Sequence, residues 1–347
     1  MFLPGGDMQM ASPFPKAFYF ITGFGHEAVS VFFVISGYLV GGKVWVSTKE
    51  RRFLWCKYLL DRSTRLYAVL IAALLLGALL DFVGSRYVNT AGLYDLTFPG
   101  RKAVLQTPAV DNLSVQVFVL NAVFLQTIAG PTFGSNAPLW SLANEWWYYV
   151  AFPAACLLLW SSARLAKVYA VLTLAALAVF LPWQIVILFG VWLLGVLVSQ
   201  SRMPLCPWWL SLLIFLFILA AARLEIVGGY NLWMYIVGAG FALLLNSLHD
   251  LDLIFPFQNI SRTLADFSYS VYLVHFPVMM FFVSCLYASM GKGTGLVFGA
   301  TGLALFASVC AVVILVAWFV SLLTEAQTPR LRALAYGWFG VGASRPR

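Results

Sequence analysis

Charged residues are scarce in this sequence of 347 residues. Only 10% of the residues are charged, whereas 62% are hydrophobic, and the mean hydropathy is +0.89. A soluble domain carries charge on about a quarter of its residues, because charged side chains cover the surface that faces water. The scarcity of charge therefore excludes a soluble globular domain and predicts a polytopic membrane protein with an all-α fold.

Paired cysteines are also absent. The five cysteines are scattered, no C-x-x-C pair occurs, and most of them lie in apolar runs. This pattern argues against a disulfide framework and against a metal site. We expect these cysteines to act as small apolar packing residues.

Several signatures of soluble enzymes and secreted proteins are missing. There is no G-x-S-x-G and no H-E-x-x-H motif. Gly23-Phe24-Gly25 begins like a dinucleotide-binding fingerprint, but no strand precedes it and an apolar segment follows. Residues 1–22 contain one cation, Lys16, and no continuous apolar core, so we do not expect a signal peptide.

Long apolar runs dominate the rest of the sequence. A spanning helix needs about 20 mostly apolar residues. Nine segments qualify, at about residues 28–46, 66–84, 139–160, 166–182, 184–199, 207–222, 230–247, 267–290 and 297–323. A further piece, 114–129, is shorter and is interrupted by Asn121 and Gln126, so we expect a re-entrant or surface helix there.

The positive charges set the expected orientation. We place the N-terminus outside and number the spans from there. On that basis, the predicted outer side holds only six of the 21 Lys and Arg residues, and the others lie in the inner loops and the C-terminal tail. The six are Lys16, Arg86, Arg101, Lys102, Arg223 and Lys292. Cytoplasmic loops of membrane proteins are rich in Lys and Arg. We therefore expect a cytoplasmic C-terminus in a bacterial inner membrane, and the net charge of +8 then needs no nucleic acid partner.

These assignments predict a single membrane domain over residues 1–347. It would comprise an outer N-terminal segment (1–27), an outer loop (85–138) and a cytoplasmic tail (324–347), joined by the spans. The outer loop is rich in Gly and Pro, and a long ordered loop of this kind is often functional. We expect it to act as a lid or as an acceptor-binding surface.

Glu145 is the first candidate for chemistry. It lies near the outer end of a predicted span, and an ionisable group inside a membrane segment marks a functional site by default. Ser141 is four residues earlier and shares its helix face. A buried carboxyl suits proton transfer, and the alternative is a structural carboxylate bonded to a neighbouring helix.

Histidines supply the other candidate bases. His26 is placed at the outer mouth of the first span, where it is either a base or a solvated residue before a helix. His275 lies well inside an apolar segment, with Tyr272 and Tyr269 three and six residues earlier. It is either functional or a buried histidine bonded to a backbone carbonyl. His249 is in a predicted inner loop without supporting residues nearby.

Two arginines stand at the predicted inner end of a span. Arg62 and Arg65 are three residues apart and share a helix face. A guanidinium binds phosphate through a planar pair of donors, although these residues could simply anchor the helix. Neighbouring cations, from Lys49 to Lys57, are expected to contact anionic membrane lipids.

Four motifs together resemble the acyltransferase-3 family of integral-membrane acyltransferases. Residues 24–39 read FGHEAVSVFFVISGYL and resemble the family's F-G-x-x-G-V-x-x-F-F-V-L-S-G-F-L. Residues 62–68 read RSTRLYA and resemble R-x-x-R-I-x-P. Residues 140–145 read WSLANE, which resembles W-S-L-x-x-E, and residues 268–277 read SYSVYLVHFP, which resembles S-Y-S-L-Y-L-x-H-x-P.

The resemblance implies acyl transfer from cytoplasmic acyl-CoA, with acetyl-CoA the expected co-substrate, to a carbohydrate hydroxyl outside the cytoplasm. No tightly bound cofactor is implied. Arg62 and Arg65 would hold the CoA phosphates, and Glu145, His275 and His26 would be the catalytic candidates. Residues expected along the substrate path are Ser36, Gly37, Trp140, Ser141, Tyr269 and Tyr272.

The sequence departs from the family pattern in three places. Ala28 replaces a glycine and Ala68 replaces a proline. The family also opens with a further membrane helix that carries an arginine and a histidine, and nothing before Gly23 matches it, so we expect the natural chain to begin further upstream. Two other functions remain open, namely a transporter or flippase of a lipid-linked saccharide and a non-catalytic member of the fold.

Overall fold

The computed structural model describes residues 13–97, 105, 107–201, 203–223, 229–248, 258–290 and 299–341. Over these ranges the fold is all-α and contains no β-strand, which confirms the predicted fold class. Some residues named above lie outside the described ranges, namely Arg101, Lys102, His249 and Lys292.

The α-helices follow one another along the chain, with only short connections in most places. They are α1 (Pro13–Thr22), α2 (Gly25–Ser36), α3 (Gly42–Lys49), α4 (Trp55–Val83), α5 (Val115–Ala122), α6 (Leu139–Trp160), α7 (Arg164–Phe180), α8 (Trp183–Gln200), α9 (Trp208–Arg223), α10 (Tyr230–Ser247), α11 (Gln258–Asp266), α12 (Ser268–Met290), α13 (Ala300–Leu323) and α14 (Thr328–Trp338). One π-helical turn, Gly37–Gly41, joins α2 to α3, and another, Gly84–Val88, extends α4.

Over the residues that the structure describes, each of the nine predicted spans coincides with helix apart from a few residues at its ends. Five stretches in the described ranges are long enough and apolar enough to cross a membrane, namely Phe14–Lys49, Trp55–Val88, Trp183–Gln200, Ser268–Met290 and Ala300–Trp338. The remaining apolar helices are shorter or richer in Trp and Tyr. The chain is therefore a polytopic membrane protein.

Two helices occur where the sequence predicted a segment or a tail. Helix α1 lies within residues 1–27, and α14 lies within residues 324–347. Both have proline in the first turn, where the backbone N–H has no helical partner and its loss costs little. Only Gly23 and Phe24 separate α1 from α2, and a Cβ on Gly23 would overlap the Arg223 guanidinium.

The piece at 114–129 forms the eight-residue helix α5 followed by turns. A helix of eight residues rises about 12 Å, which is too short to cross a bilayer. The polar residues that interrupt this piece have structural partners. Asn121 Nδ2 donates to the carbonyls of Val117 and Pro131, and Gln126 Nε2 donates to the Leu139 carbonyl at 2.9 Å.

The chain forms two compact units. The first contains residues 1–15, 55–143 and 255–347, and the second contains residues 16–54 and 144–254. In the first unit α4 packs against α12 and α14, and α12 packs against α13. In the second unit α8 and α10 pack against each other and against α2.

Candidate functional site

The carboxylate of Glu145 is the centre of a hydrogen-bonded cluster in the second unit. Glu145 is only 4% exposed, and its Oε1 accepts a hydrogen bond of 2.9 Å from the Ser36 hydroxyl. The Tyr149 hydroxyl donates to the same oxygen. The Ser36 oxygen in turn accepts from Trp192 Nε1 at 3.2 Å. We call these four residues the Glu145 cluster.

The local sequence explains how this cluster forms. Glu145 and Tyr149 are four residues apart on α6, so their side chains lie on one face. Ser36 ends α2 directly before the π-helical turn, a feature that is frequent at functional sites. A Cβ on Gly37 would overlap the Trp192 carbonyl oxygen. Glycine at this position therefore lets α2 and α8 approach closely enough for Trp192 to reach Ser36.

Aromatic rings surround the cluster in the second unit. The Trp192 ring is fully buried and lies 5.1 Å from Phe152 and 5.6 Å from Phe189, centroid to centroid. Tyr148 packs 4.9 Å from Phe189 and donates a hydrogen bond to the Ile185 carbonyl. Hydrogen bonds are stronger electrostatically in such surroundings than in water, so the Glu145 carboxylate is held firmly in place.

His275 belongs to the first unit and has a defined tautomer. Its Nδ1 lies 2.7 Å from the Tyr272 carbonyl oxygen and 3.1 Å from that of Val271. Carbonyl oxygens only accept hydrogen bonds, so Nδ1 carries the proton in the neutral ring and Nε2 keeps its lone pair. Within the described residues Nε2 makes no hydrogen bond. A hydrogen bond from His275 to a backbone carbonyl was the structural alternative to a functional role. The structure shows such a bond, and this bond also leaves Nε2 ready to accept a proton.

Other predicted path residues lie near His275 in the first unit. The Tyr272 ring is 6.1 Å from that of His275, and its hydroxyl donates to the Pro138 carbonyl at 2.9 Å. The Ser141 hydroxyl contacts the Tyr272 hydroxyl. Trp140 is half-buried next to Ser141. Tyr272 therefore fastens the start of α6 to α12.

Tyr269 has a different partner from Tyr272. Its hydroxyl donates to the Leu66 carbonyl on α4 at 3.3 Å, one residue after Arg65. Arg65 is exposed, and Arg62 is half-buried. Glu325 lies close enough to Arg65 to interact with it electrostatically. Arg62 and Arg65, the predicted phosphate-binding pair, thus lie in the N-terminal part of α4, near the polar side chains of Tyr269 and Glu325.

His26 is not part of the Glu145 cluster. It is exposed in the first turn of α2, whereas Ser36 is the last residue of that helix. Ten residues of α-helix separate their Cα atoms by about 15 Å. His26 therefore could not exchange a proton directly with a group bound at Ser36 or Glu145.

The sequence reading missed the buried carboxylate of Asp81. Asp81 is fully buried on α4 and accepts hydrogen bonds from the Ser135 backbone N–H at 2.6 Å and from the Ser135 hydroxyl at 2.7 Å. Gly134, at a φ of +57°, brings the chain against this carboxylate. The rule that singled out Glu145, an acid inside a predicted span, applies equally to Asp81. Asp81 attaches the segment around Ser135 to α4.

Tyr94 anchors the segment that follows α4. This ring is fully buried and packs with Leu105, Ala109 and Phe276, and a Cβ on Gly84 would overlap it. Burial raises the pKa of the Tyr94 phenol well above its ordinary value, with Asp81 adding to the rise. Among the described residues, no group of three or more His, Cys, Asp or Glu side chains is arranged to hold a metal ion.

These features describe an integral-membrane helix protein with an ionisable cluster buried among its helices, the kind of protein in which such groups usually mark the functional site. The family model of the acyltransferase-3 family, described as an acyltransferase domain, matches residues 3–322. The chain therefore belongs to that family and is a membrane acyltransferase, which confirms the resemblance carried by the four motifs. No curated protein and no solved structure matches it.

Proposed function

We propose that this protein transfers an acyl group, with acetyl as the expected group, from cytoplasmic acyl-CoA to a hydroxyl of an envelope or exported carbohydrate. The observation that carries the proposal is the buried Glu145 carboxylate, which already accepts hydrogen bonds from two hydroxyl groups. A carboxylate in this environment is suited to orient an alcohol for reaction. The family gives acyl transfer as the reaction class.

The reaction requires a base and a leaving group. In the proposed step, the acceptor oxygen attacks the thioester carbonyl carbon, a C–O bond forms and the C–S bond breaks. The hydroxyl proton passes to a general base and then to the departing CoA thiolate. Of the predicted histidine bases, we favour His275, because backbone carbonyls hold its Nδ1–H and leave the Nε2 lone pair to accept a proton. Such proton transfer contributes about 10²–10⁴-fold to a rate.

The charged end of the donor needs a cationic site. We assign the CoA phosphates to Arg62 and Arg65, because guanidinium groups bind phosphate oxygens through two donors at once. In the orientation proposed here, this end of α4 lies on the cytoplasmic side of a bacterial inner membrane, where acyl-CoA is made. The Lys and Arg residues that precede α4 would contact anionic lipid headgroups.

A labelled-donor experiment tests the reaction. The purified protein, reconstituted in liposomes with an envelope carbohydrate fraction, is given acetyl-CoA carrying a radioactive acetyl group. We expect label in a base-labile ester and release of free CoA thiol in equal amounts. Glu145→Gln should lose both signals, whereas Glu50→Gln, the same change at an exposed carboxylate that pairs with Arg52, should keep them.

The alternative functions give different results in the same experiment. A transporter or flippase would move a lipid-linked saccharide across the bilayer without acyl-CoA and without release of CoA. A non-catalytic member of the family would bind CoA but transfer no label. Either result would overturn the proposed reaction.

A further inference from the structure

Helix α14 lies beyond the region that matches the family and is bonded to the α4 segment that carries Arg62 and Arg65. The family match ends at residue 322, and α14 covers Thr328–Trp338. The Tyr336 hydroxyl donates a hydrogen bond of 2.6 Å to Asp61 Oδ1. Arg332 Nε lies 3.1 Å from the same oxygen, as an ion pair.

Asp61 would have another partner if α14 did not hold it. Asp61 and Arg65 are four residues apart on α4, and an acidic residue four positions before an arginine commonly pairs with it on a helix surface. Such a pair would turn the Arg65 guanidinium towards its own helix. The structure instead shows the Asp61 carboxylate turned to Tyr336 and Arg332.

The second carboxylate near Arg65 is similarly engaged. Glu325 Oε2 accepts hydrogen bonds from the Ser270 backbone N–H at 3.1 Å and from the Ser270 hydroxyl at 2.8 Å. Glu325 therefore caps the start of α12, and its effect on Arg65 is a longer-range electrostatic one. Both nearby acids are occupied by other donors, and Arg65 is exposed.

We propose that α14 is a positioning element of the acyl-donor site, which holds Asp61 away from Arg65 so that the guanidinium is available to the phosphates of CoA. This inference rests on the assignment of Arg62 and Arg65 to the donor. Tyr336 also lies close enough to Arg62 to interact with it electrostatically. Tyr336 and Arg332 act through Asp61 and do not themselves contact the reacting atoms.

The test compares two donors in Tyr336→Phe, which removes one hydroxyl and no charge. Acetyl-CoA carries phosphates, whereas S-acetylpantetheine carries none. We expect Tyr336→Phe to raise the KM for acetyl-CoA and the Kd for CoA about three- to tenfold, the effect of one hydrogen bond and a partly exposed ion pair. The rate with S-acetylpantetheine should stay unchanged, because that donor has no phosphate.

A second substitution separates positioning from stability. In the double variant Asp61→Asn with Tyr336→Phe, the carboxylate that α14 would release is gone and Glu325 stays bonded to Ser270, so CoA affinity should return to the wild-type value. If Tyr336 only supported the fold, the second change would not restore binding. Persistent weak binding in the double variant would overturn the inference, as would unchanged CoA affinity in Tyr336→Phe.

A matched pair of charge removals controls for bulk electrostatics. Arg330 and Arg332 are both on α14, but Arg330 bonds to Gln327 instead of Asp61. Arg332→Ala should weaken CoA binding more than Arg330→Ala does, and equal effects would overturn the inference. If the wild-type protein binds no CoA, the assignment of the donor site itself fails. If the wild type and the variants bind CoA equally well, only the inference about α14 fails.

Discussion

The Ser36 hydroxyl donates a hydrogen bond of 2.9 Å to Oε1 of Glu145, although the two residues are 109 positions apart. The same oxygen of Ser36 accepts from Trp192 Nε1, so one small side chain links three helices of the second unit. A buried hydroxyl with both roles filled leaves little freedom to its partners. Ser36 therefore fixes the position of the Glu145 carboxylate.

Ser36→Ala should lower activity without preventing folding. The change removes a donor from Glu145 and an acceptor from Trp192, and hydrogen bonds to charged groups contribute about 1.5–3 kcal/mol. We expect kcat/KM to fall about ten- to a hundredfold, at about 1.4 kcal/mol for each factor of ten. Steady-state release of CoA from acetyl-CoA measures the effect.

The control for this variant is Ser47→Ala on the same run of helix. Ser47 donates only to the backbone carbonyl of Val44 and lies outside the Glu145 cluster. Its removal should leave kcat/KM within about twofold of the wild type, as is usual for a change away from packed or polar networks. An equal loss in both variants would show that Ser36 has no special relation to Glu145.

The helices could be predicted from the sequence more completely than the contacts between them. Apolar runs predict helices by themselves, which is why the nine segments coincide with helices, although five stretches of the described residues are long and apolar enough to span a membrane. Helix α14 was missed because it is short and of mixed polarity, so only its packing against α4 explains its formation.

The candidate site could be predicted only in part. Glu145 could be found because an acid in an apolar run is conspicuous, and Tyr149 could have been found from its spacing. Ser36 was expected along the substrate path, but its bonds to Glu145 and Trp192 depend on close approach at Gly37 and Gly195. One sequence contains no periodic signal for a contact between helices so far apart in the chain.

His275→Gln tests whether Nε2 accepts the proton. Glutamine keeps a polar side chain of similar length but cannot act as a base, so kcat should fall about 10²–10⁴-fold. The Kd for CoA should not change, because the donor phosphates are assigned elsewhere. Stopped-flow measurement of CoA release, together with equilibrium binding of CoA, separates the two effects.

His26→Gln in the same assay decides between the two histidines. Since His26 is exposed and lies about 15 Å along the helix from Ser36, we expect its loss to lower kcat far less than the loss of His275. A larger effect at His26 would assign the base to the start of α2 instead.

Gly195→Ala should destabilise the second unit. A Cβ at this position would overlap the Val34 carbonyl oxygen and crowd the Tyr38 amide, and both are backbone atoms that cannot rotate away. Overpacking of this kind costs about 1–3 kcal/mol, so the midpoint of thermal unfolding in detergent should fall. Gly25→Ala is the matched control, because no atom lies within 4 Å of the added Cβ, and its unfolding midpoint should not fall.

Asp81→Asn should loosen the segment around Ser135 while leaving the membrane helices in place. The Asp81 oxygens accept from both the N–H and the hydroxyl of Ser135, whereas asparagine offers one oxygen and would turn an N–H₂ group towards a donor. Leaving a buried donor without an acceptor costs about 1–3 kcal/mol. Hydrogen–deuterium exchange should therefore become faster in residues 107–138 and remain slow in α4.

Asp95→Asn, at an exposed acid bonded only within its own turn, should not accelerate exchange in residues 107–138. Equal exchange in Asp81→Asn and the wild type would mean that Tyr94 and its apolar neighbours hold the loop without the carboxylate.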